Sequence, residues 1–250
     1  SGVGKTELAL AVADLLFGSG SFDAALPEYV ALITGYPKST LLAKANFNAG
    51  WCAWKLGRAT DALAYFKRAA ALTKDPGMAA EVAFKIGDTQ FALGQFADAI
   101  ATYQQLISSN PGAKLLDRAL FQLGQSYQRT HNAEAAVAAF ESLIEKYPAS
   151  EHAPEAKFQV GLINVGSGRE EPARAAFAEI VTRFPGDQWA NKAALAIGES
   201  FEREAKYDDA IALLAKAHTA NPKSAEITKA LTDAHMASAD AFMSDAAMPP

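Results

Sequence analysis

A single cysteine in 250 residues, Cys52, excludes an internal disulfide framework and any cysteine-rich zinc site. No stretch approaches the ~18 uninterrupted apolar residues that a membrane span needs, and no basic-then-apolar leader opens the chain. Ser1 rather than Met stands first, so the missing leader leaves the compartment open. A formal charge of −5 and a pI near 5.4 provide no basic footprint for nucleic-acid phosphates. The four histidines, His131, His152, His218 and His235, have no paired spacing, and no HExxH occurs. The sequence therefore assigns no catalytic residue, no metal ligand and no cofactor. Cys52, between Trp51 and Trp54, reads as a buried, inert thiol. What the chain has in excess is alanine, 55 of its 250 residues, which suits closely packed helices.

The alanines conceal a period. The segments Gly20 to Ala25, Gly57 to Ala62, Gly94 to Ala99, His131 to Ala136, Gly168 to Ala173 and Ala205 to Ala210 resemble one another, and their final alanines stand 37 residues apart each time. Twelve residues before each alanine come Ala13, Gly50, Gly87, Gly124, Gly161 and Gly198; four after it come Tyr29, Phe66, Tyr103, Phe140, Phe177 and Leu214. Twelve after it come Pro37, Lys74, Pro111, Pro148, Pro185 and Pro222, with Pro76 following Lys74 two residues on. An antiparallel helix pair explains the columns. A small residue on the first helix faces the alanine of the second so that the axes approach, and the aromatic one turn later fills the space beside that contact. A Gly-x-aromatic turn ends the first helix and proline the second. His131 and Ala205 replace the turn glycine, and Pro27 is expected to bend a second helix early in its course.

These offsets resemble the tetratricopeptide repeat over residues 6–227. The resemblance implies an all-α, right-handed superhelical solenoid of antiparallel helix pairs. Its six repeats would span 6–42, 43–79, 80–116, 117–153, 154–190 and 191–227, followed by a capping helix and tail over 228–250. In the cap, His235 occupies the small-residue column, and Met248-Pro249-Pro250 ends the chain. The usual unit has about 34 residues. The three extra residues fall after the proline, where Ser39, Ser150, Asp187 and Ser224 are N-cap types that would start the next helix about a turn early; Ala113 lacks that ability. Aromatic-Pro-x-Ser turns (Tyr36 to Ser39, Tyr147 to Ser150) resemble a bacterial envelope subclass that includes the Tol-Pal-associated repeat protein and the lipoprotein subunit of outer-membrane β-barrel assembly. That resemblance implies a periplasmic or outer-membrane-associated protein, with the cytoplasm as the alternative.

In the tetratricopeptide arrangement the first helices line a concave face. Three residues before each small position runs the ladder Leu10, Phe47, Phe84, Phe121, Phe158, Leu195. One after it come Asp14, Trp51, Asp88, Gln125, Leu162 and Glu199, and four after it Phe17, Trp54, Phe91, Gln128, Val165 and Glu202. The three rows share one helix face. The phenylalanines serve equally well to seal neighbouring repeats, whereas Trp51 and Trp54 have no tryptophan counterpart in other repeats and read as anchors. The candidate partner-binding residues are Phe47, Trp51, Trp54, Phe84, Asp88, Phe91, Phe121, Gln125, Gln128 and Phe158, for a protein or peptide segment and not nucleic acid. The two-carboxylate clamp of chaperone-binding members is absent, phenylalanine standing in place of its lysine. Two competing readings are a spacer, and the sensor module of an upstream ATPase, since Gly2-Val3-Gly4-Lys5-Thr6 resembles the end of a phosphate-binding loop. Thr6 to Phe17, however, falls in phase with a first helix, and no acidic strand end follows.

Overall fold

The computed structural model describes residues 2–109, 112, 114–185 and 187–246. Pro111, Ala113 and the Met248-Pro249-Pro250 end lie outside the described residues. Among those described there are thirteen α-helices and no strand. The chain divides into two compact units at Asn132/Ala133. The first holds α1 (Gly2–Gly18), α2 (Phe22–Gly35), α3 (Leu42–Lys55), α4 (Ala59–Leu72), α5 (Pro76–Ala92), α6 (Phe96–Ser109) and α7 (Leu116–Arg129). The second holds α8 (Ala133–Lys146), α9 (Ala153–Gly166), α10 (Glu170–Arg183), α11 (Gln188–Arg203), α12 (Tyr207–Ala220) and α13 (Ala225–Ala246). Within each unit every helix packs on the next, and first helices also meet one another, α1 with α3, α5 with α7, α9 with α11 and α11 with α13.

The alanine and aromatic columns form the core. Ala25, Ala62, Ala99, Ala136, Ala173 and Ala210 are all at most 1 % exposed, as are Tyr29, Phe66, Tyr103, Phe140, Phe177 and Leu214. At the small-residue column, the atoms that an added Cβ would meet first at Gly50, Gly87 and Gly161 belong to the ring of the aromatic column. A Cβ on Gly50 would stand 2.6 Å from the Phe66 ring, on Gly87 2.6 Å from Tyr103, and on Gly161 2.2 Å from Phe177, all inside contact distance. At Gly198 the partner is Leu214 and the approach relaxes to 3.2 Å. The rings stand against bare backbone.

Each first helix ends in the same backbone turn. The amides of Ser21, Arg58, Gln95, Asn132, Arg169 and Lys206 reach back five residues to carbonyl oxygens at 2.8–3.0 Å. This six-to-one bond needs a left-handed residue just before it. Gly20, Gly57, Gly94 and Gly168 supply it with φ of 69–80°; His131 and Ala205 adopt the same conformation at 59° and 57°, although a Cβ opposes it. In the second unit, Arg174 of α10 ties this region together, reaching Ser200 of α11 at 2.7 Å and Glu204, just past the end of α11, at 2.5 Å.

Helix starts depart from expectation in two of four cases. Asp187 and Ser224 cap α11 and α13 directly, accepting from the amides of Trp189 at 2.7 Å and Ile227 at 3.3 Å. Ser39 and Ser150 instead accept from Leu41 and His152, both at 3.2 Å, and close a separate turn, so that α3 and α9 begin three residues later. The extra residues of the 37-residue period are there a capped turn, not added helix. Asp75, ahead of Pro76, is a further N-cap, accepting from Met78 at 2.9 Å. Helix α2 continues through Pro27. In α13 the buried residues are Ile227 and Ala234, against Ala210, Leu214 and Ala217 of α12. His235 is exposed. No described helix follows α13 to press a ring on that column, so a large residue fits there.

Two substitutions test these contacts. Gly161→Ala must push the Phe177 ring aside, and overpacking of this kind costs about 1–3 kcal/mol; urea unfolding should show it, and Phe177→Leu in the same chain should recover part of the loss. Ala205→Gly should stabilise by about 1 kcal/mol, because the left-handed conformation no longer opposes a Cβ; an unchanged melting temperature would refute the strain.

Candidate functional site

The first-helix face of the first unit is built on α3, α5 and α7. Trp51 and Trp54 project from α3 one and four residues beyond Gly50, half-buried, and pack against Ala53, Ala62, Phe66, Ala69 and Val82. Trp51 is not purely a packing residue, since the ammonium of Lys85 from α5 lies 4.5 Å from its ring centre and that of Lys55 lies 5.9 Å away. Lys85 is also ion-paired with Asp88 at 2.9 Å, one turn on. Along the same face the Arg118 guanidinium of α7 stands 4.9 Å from the Phe84 ring, and that of Arg129 stands 5.9 Å from Phe91 and 6.0 Å from Phe96. Lys55, Arg118 and Arg129 are exposed, and among the described residues none has a carboxylate within ion-pair distance. The face thus presents half-buried aromatic rings edged by unneutralised cations.

The predicted residues divide on inspection. Trp51, Trp54, Phe91, Gln125 and Gln128 are half-buried on this face. Phe84 and Phe121, expected to offer contact surface, are buried, at 2 % and 6 % exposed, and form its floor instead. Phe84 has the Tyr103 ring behind it and the Arg118 guanidinium over it, whereas Phe47, also backed by a ring, stays half-buried. Phe47 packs on Phe66 with centroids 5.8 Å apart, and Phe84 on Tyr103 at 6.0 Å, each across its own helix pair. Phe158 lies in the second unit, held between Phe177 at 5.2 Å and Trp189 at 5.1 Å, and is described with that unit alone.

Asp88 turns out to be engaged on both oxygens. The buried Tyr103 hydroxyl donates to Oδ1 at 2.8 Å while Lys85 holds Oδ2. The first helix pair repeats the arrangement. Tyr29 donates to Asp14 Oδ1 at 2.7 Å, Asn48 donates to the same oxygen at 2.9 Å, and Lys44 holds Oδ2 at 2.7 Å. Sequence reading missed these pairs, yet the signal was present: tyrosine occupies the aromatic column only in the two periods whose first helix carries aspartate one residue after the small position. It also missed the cations, which belong to columns outside the three apolar rows.

Burial, and then the neighbouring carboxylates, raise the Tyr29 and Tyr103 phenols well above their ordinary value. Burial would also raise Asp14, but its bonds from Lys44, Tyr29 and Asn48 outweigh it and hold the carboxyl below the usual range. Burial pushes the Cys52 thiol up to about 11, so it is a poor nucleophile at neutral pH. Gly4-Lys5-Thr6 lies within the first turns of α1, with Thr6 buried, and the strand of a strand–loop–helix phosphate site does not exist among the described residues. Among those residues no cluster of three metal-ligating side chains occurs, and no helix is long and apolar enough to cross a membrane.

Sequence profiles of the tetratricopeptide repeat match residues 10–79, 53–120 and 118–150, together more than half of the chain. The chain belongs to the tetratricopeptide repeat family. No curated protein sequence matches it. Among solved structures it is similar to MamA, with 22 % identity and a TM-score of 0.59 over 78 % of this chain and 98 % of that one. It is also similar to a tetratricopeptide repeat protein from Parabacteroides merdae, with 16 % identity and a TM-score of 0.62 over 92 % and 98 %. A third is YrrB, described as a TPR protein with an unusual peptide-binding site, with 18 % identity and a TM-score of 0.55 over 81 % and 96 %. At these identities the likeness establishes the fold, an all-α solenoid of helix pairs.

The tyrosine–aspartate pairs make a pH prediction. An unfolded tyrosine loses its proton near pH 10, whereas the folded phenols are held neutral above that. The stability they contribute is complete below about pH 10 and falls as pH rises past it. The urea midpoint of the wild type should drop more steeply between about pH 9 and about pH 11.5 than that of Tyr29→Phe/Tyr103→Phe. Parallel curves would show that neither hydroxyl is coupled to folding.

Proposed function

We propose that this protein is a non-catalytic scaffold whose first-helix face on α3, α5 and α7 binds a peptide or protein segment. The observation that carries this reading is Trp51, half-buried in a column where the fold does not require tryptophan and flanked by the ammonium groups of Lys55 and Lys85. Trp54, Phe91, Gln125 and Gln128 extend the face, Phe47 and Phe84 support it from behind, and Asp88 acts by holding Lys85 at the ring. A large amphipathic ring with a cation beside it suits a segment that brings an apolar side chain together with a carboxylate. The peptide-binding site ascribed to YrrB, a protein of the same fold, supports the reading. We place the scaffold in the bacterial envelope, on the strength of the aromatic-Pro-x-Ser turns at Tyr36 to Ser39 and Tyr147 to Ser150.

The test is affinity for a peptide selected from a random library against the wild-type chain. Trp51→Ala/Trp54→Ala should weaken that binding by at least tenfold. Because both tryptophans also pack inward, Lys55→Glu and Arg129→Glu, at exposed positions, serve as variants that leave folding intact, and together they should lower affinity for an acidic-aromatic ligand several-fold. Wild-type affinity in all of these variants, with helical circular dichroism retained, would refute the site.

A further inference from the structure

Where one helix pair of the second unit meets the next, the chain leaves a cavity of about 310 Å³ between α10, α11 and α12. That is at the lower end of the range for ligand pockets. Val181, Pro185, Ala190 and Ala217 give it an apolar side. Asn191 of α11, Lys216 of α12 and Asn221, just past the end of α12, give it a polar one. Among the described residues none of these three side chains has a hydrogen bond or an ion pair, and no carboxylate lines the cavity.

The opening does not come from a missing neighbour. One period earlier the corresponding place is also open, with Ile144, Pro148 and Arg183 where the later one has Val181, Pro185 and Ala220. The helices α11, α12 and α13 all follow it, and no residue of theirs lines it. The three polar positions, however, differ. Glu179, at the position of Lys216, accepts from Lys157 and from Arg183, both at 2.5 Å. Pro154 and Phe184, at the positions of Asn191 and Asn221, are apolar, the one buried and the other half-buried against the core of α10 and α11.

The fold therefore asks for no polar group at any of the three positions. Where the earlier period holds a charge in one of them, side chains of the same chain neutralise it; at Lys216 none does. An ammonium and two side-chain amides, all with donors to spare beside an apolar wall, match a ligand that carries a carboxylate on a short apolar body. A cation would meet Lys216, and a purely apolar ligand would strip water from the amides without replacing its hydrogen bonds.

We infer that the cavity between α10, α11 and α12 binds a small apolar carboxylate, free or as the end of a peptide chain. The carboxylate lies at Lys216 and the apolar body against Val181, Pro185 and Ala217. The site belongs to the second unit and does not depend on the face of α3, α5 and α7. The probe is isocaproate, titrated into the 250-residue chain while the side-chain amide signals of Asn191 and Asn221 are followed by NMR. Both should shift and saturate, with a dissociation constant of about a millimolar. Isocaproamide, which lacks the charge, should bind at least about fivefold more weakly. Lys216→Gln, at an exposed position, should weaken the acid by a similar factor with unchanged circular dichroism. Asn221→Phe, which restores the residue type of Phe184, should abolish the shift at Asn191. The tripeptide glycyl-glycyl-leucine binding more tightly than isocaproate would assign the site to a chain terminus, and binding no more tightly would assign it to a small acid; both uphold it. No saturable shift up to about 50 mM isocaproate would overturn the inference. Equal binding of acid and amide, full affinity in Lys216→Gln, or an unaltered Asn191 shift in Asn221→Phe would do the same.

Discussion

An aromatic ring laid on bare backbone sets the distance between the two helices of a pair. Phe66 on Gly50, Tyr103 on Gly87 and Phe177 on Gly161 leave no room for a methyl group between ring and helix. A fully buried ring removes on the order of 150–250 Å² from water, worth at most about 4–6 kcal/mol at 25 cal/mol per Å². That gain is available only if the axes approach this closely. The turn glycines then follow as a second requirement, because a chain reversing within so short a gap must end its first helix in a left-handed residue. The strength of that requirement shows where glycine is missing: His131 and Ala205 take the same φ against their own side chains.

The ring contact also governs what the first-helix face can display. The residue after the glycine stands beside the far edge of the ring. Where that edge carries a hydroxyl, as in Tyr29 and Tyr103, the hydroxyl needs a partner, and Asp14 and Asp88 supply one. Where the ring is Phe66, nothing polar must be satisfied, and the same column is free to hold Trp51. Asp88 and Trp51 occupy one column for opposite reasons, one engaged from behind by the fold and the other left open toward the face. Lys85 joins them, paired with the carboxylate and set over the indole.

How much of this was legible follows from which interactions repeat. The fold, the helix ends and the buried columns recur at a fixed interval, so period alone located them to within a few residues. The capped turns at Ser39 and Ser150 were misplaced because Ser accepts equally well from an isolated turn and from a helix start, and only the backbone distinguishes them. The burial of Phe84 and Phe121 was hidden for a related reason: a ladder residue that faces the groove in projection is covered by rings and cations contributed from other helices. Lys85, Arg118 and Arg129 act across helices at columns that carry other residue types elsewhere, and no single-helix pattern points to them.

Within one chain of repeats, the range of residues tolerated in a column measures what covers it. The alanine column, carried by the second helices, never varies, and it is buried in every period. The column four after the small position runs Phe17, Trp54, Phe91, Gln128, Val165, Glu202, from indole to carboxylate, and none of these residues is buried. Each keeps part of its surface uncovered while several pack inward, so the differences on the uncovered side are available for recognition.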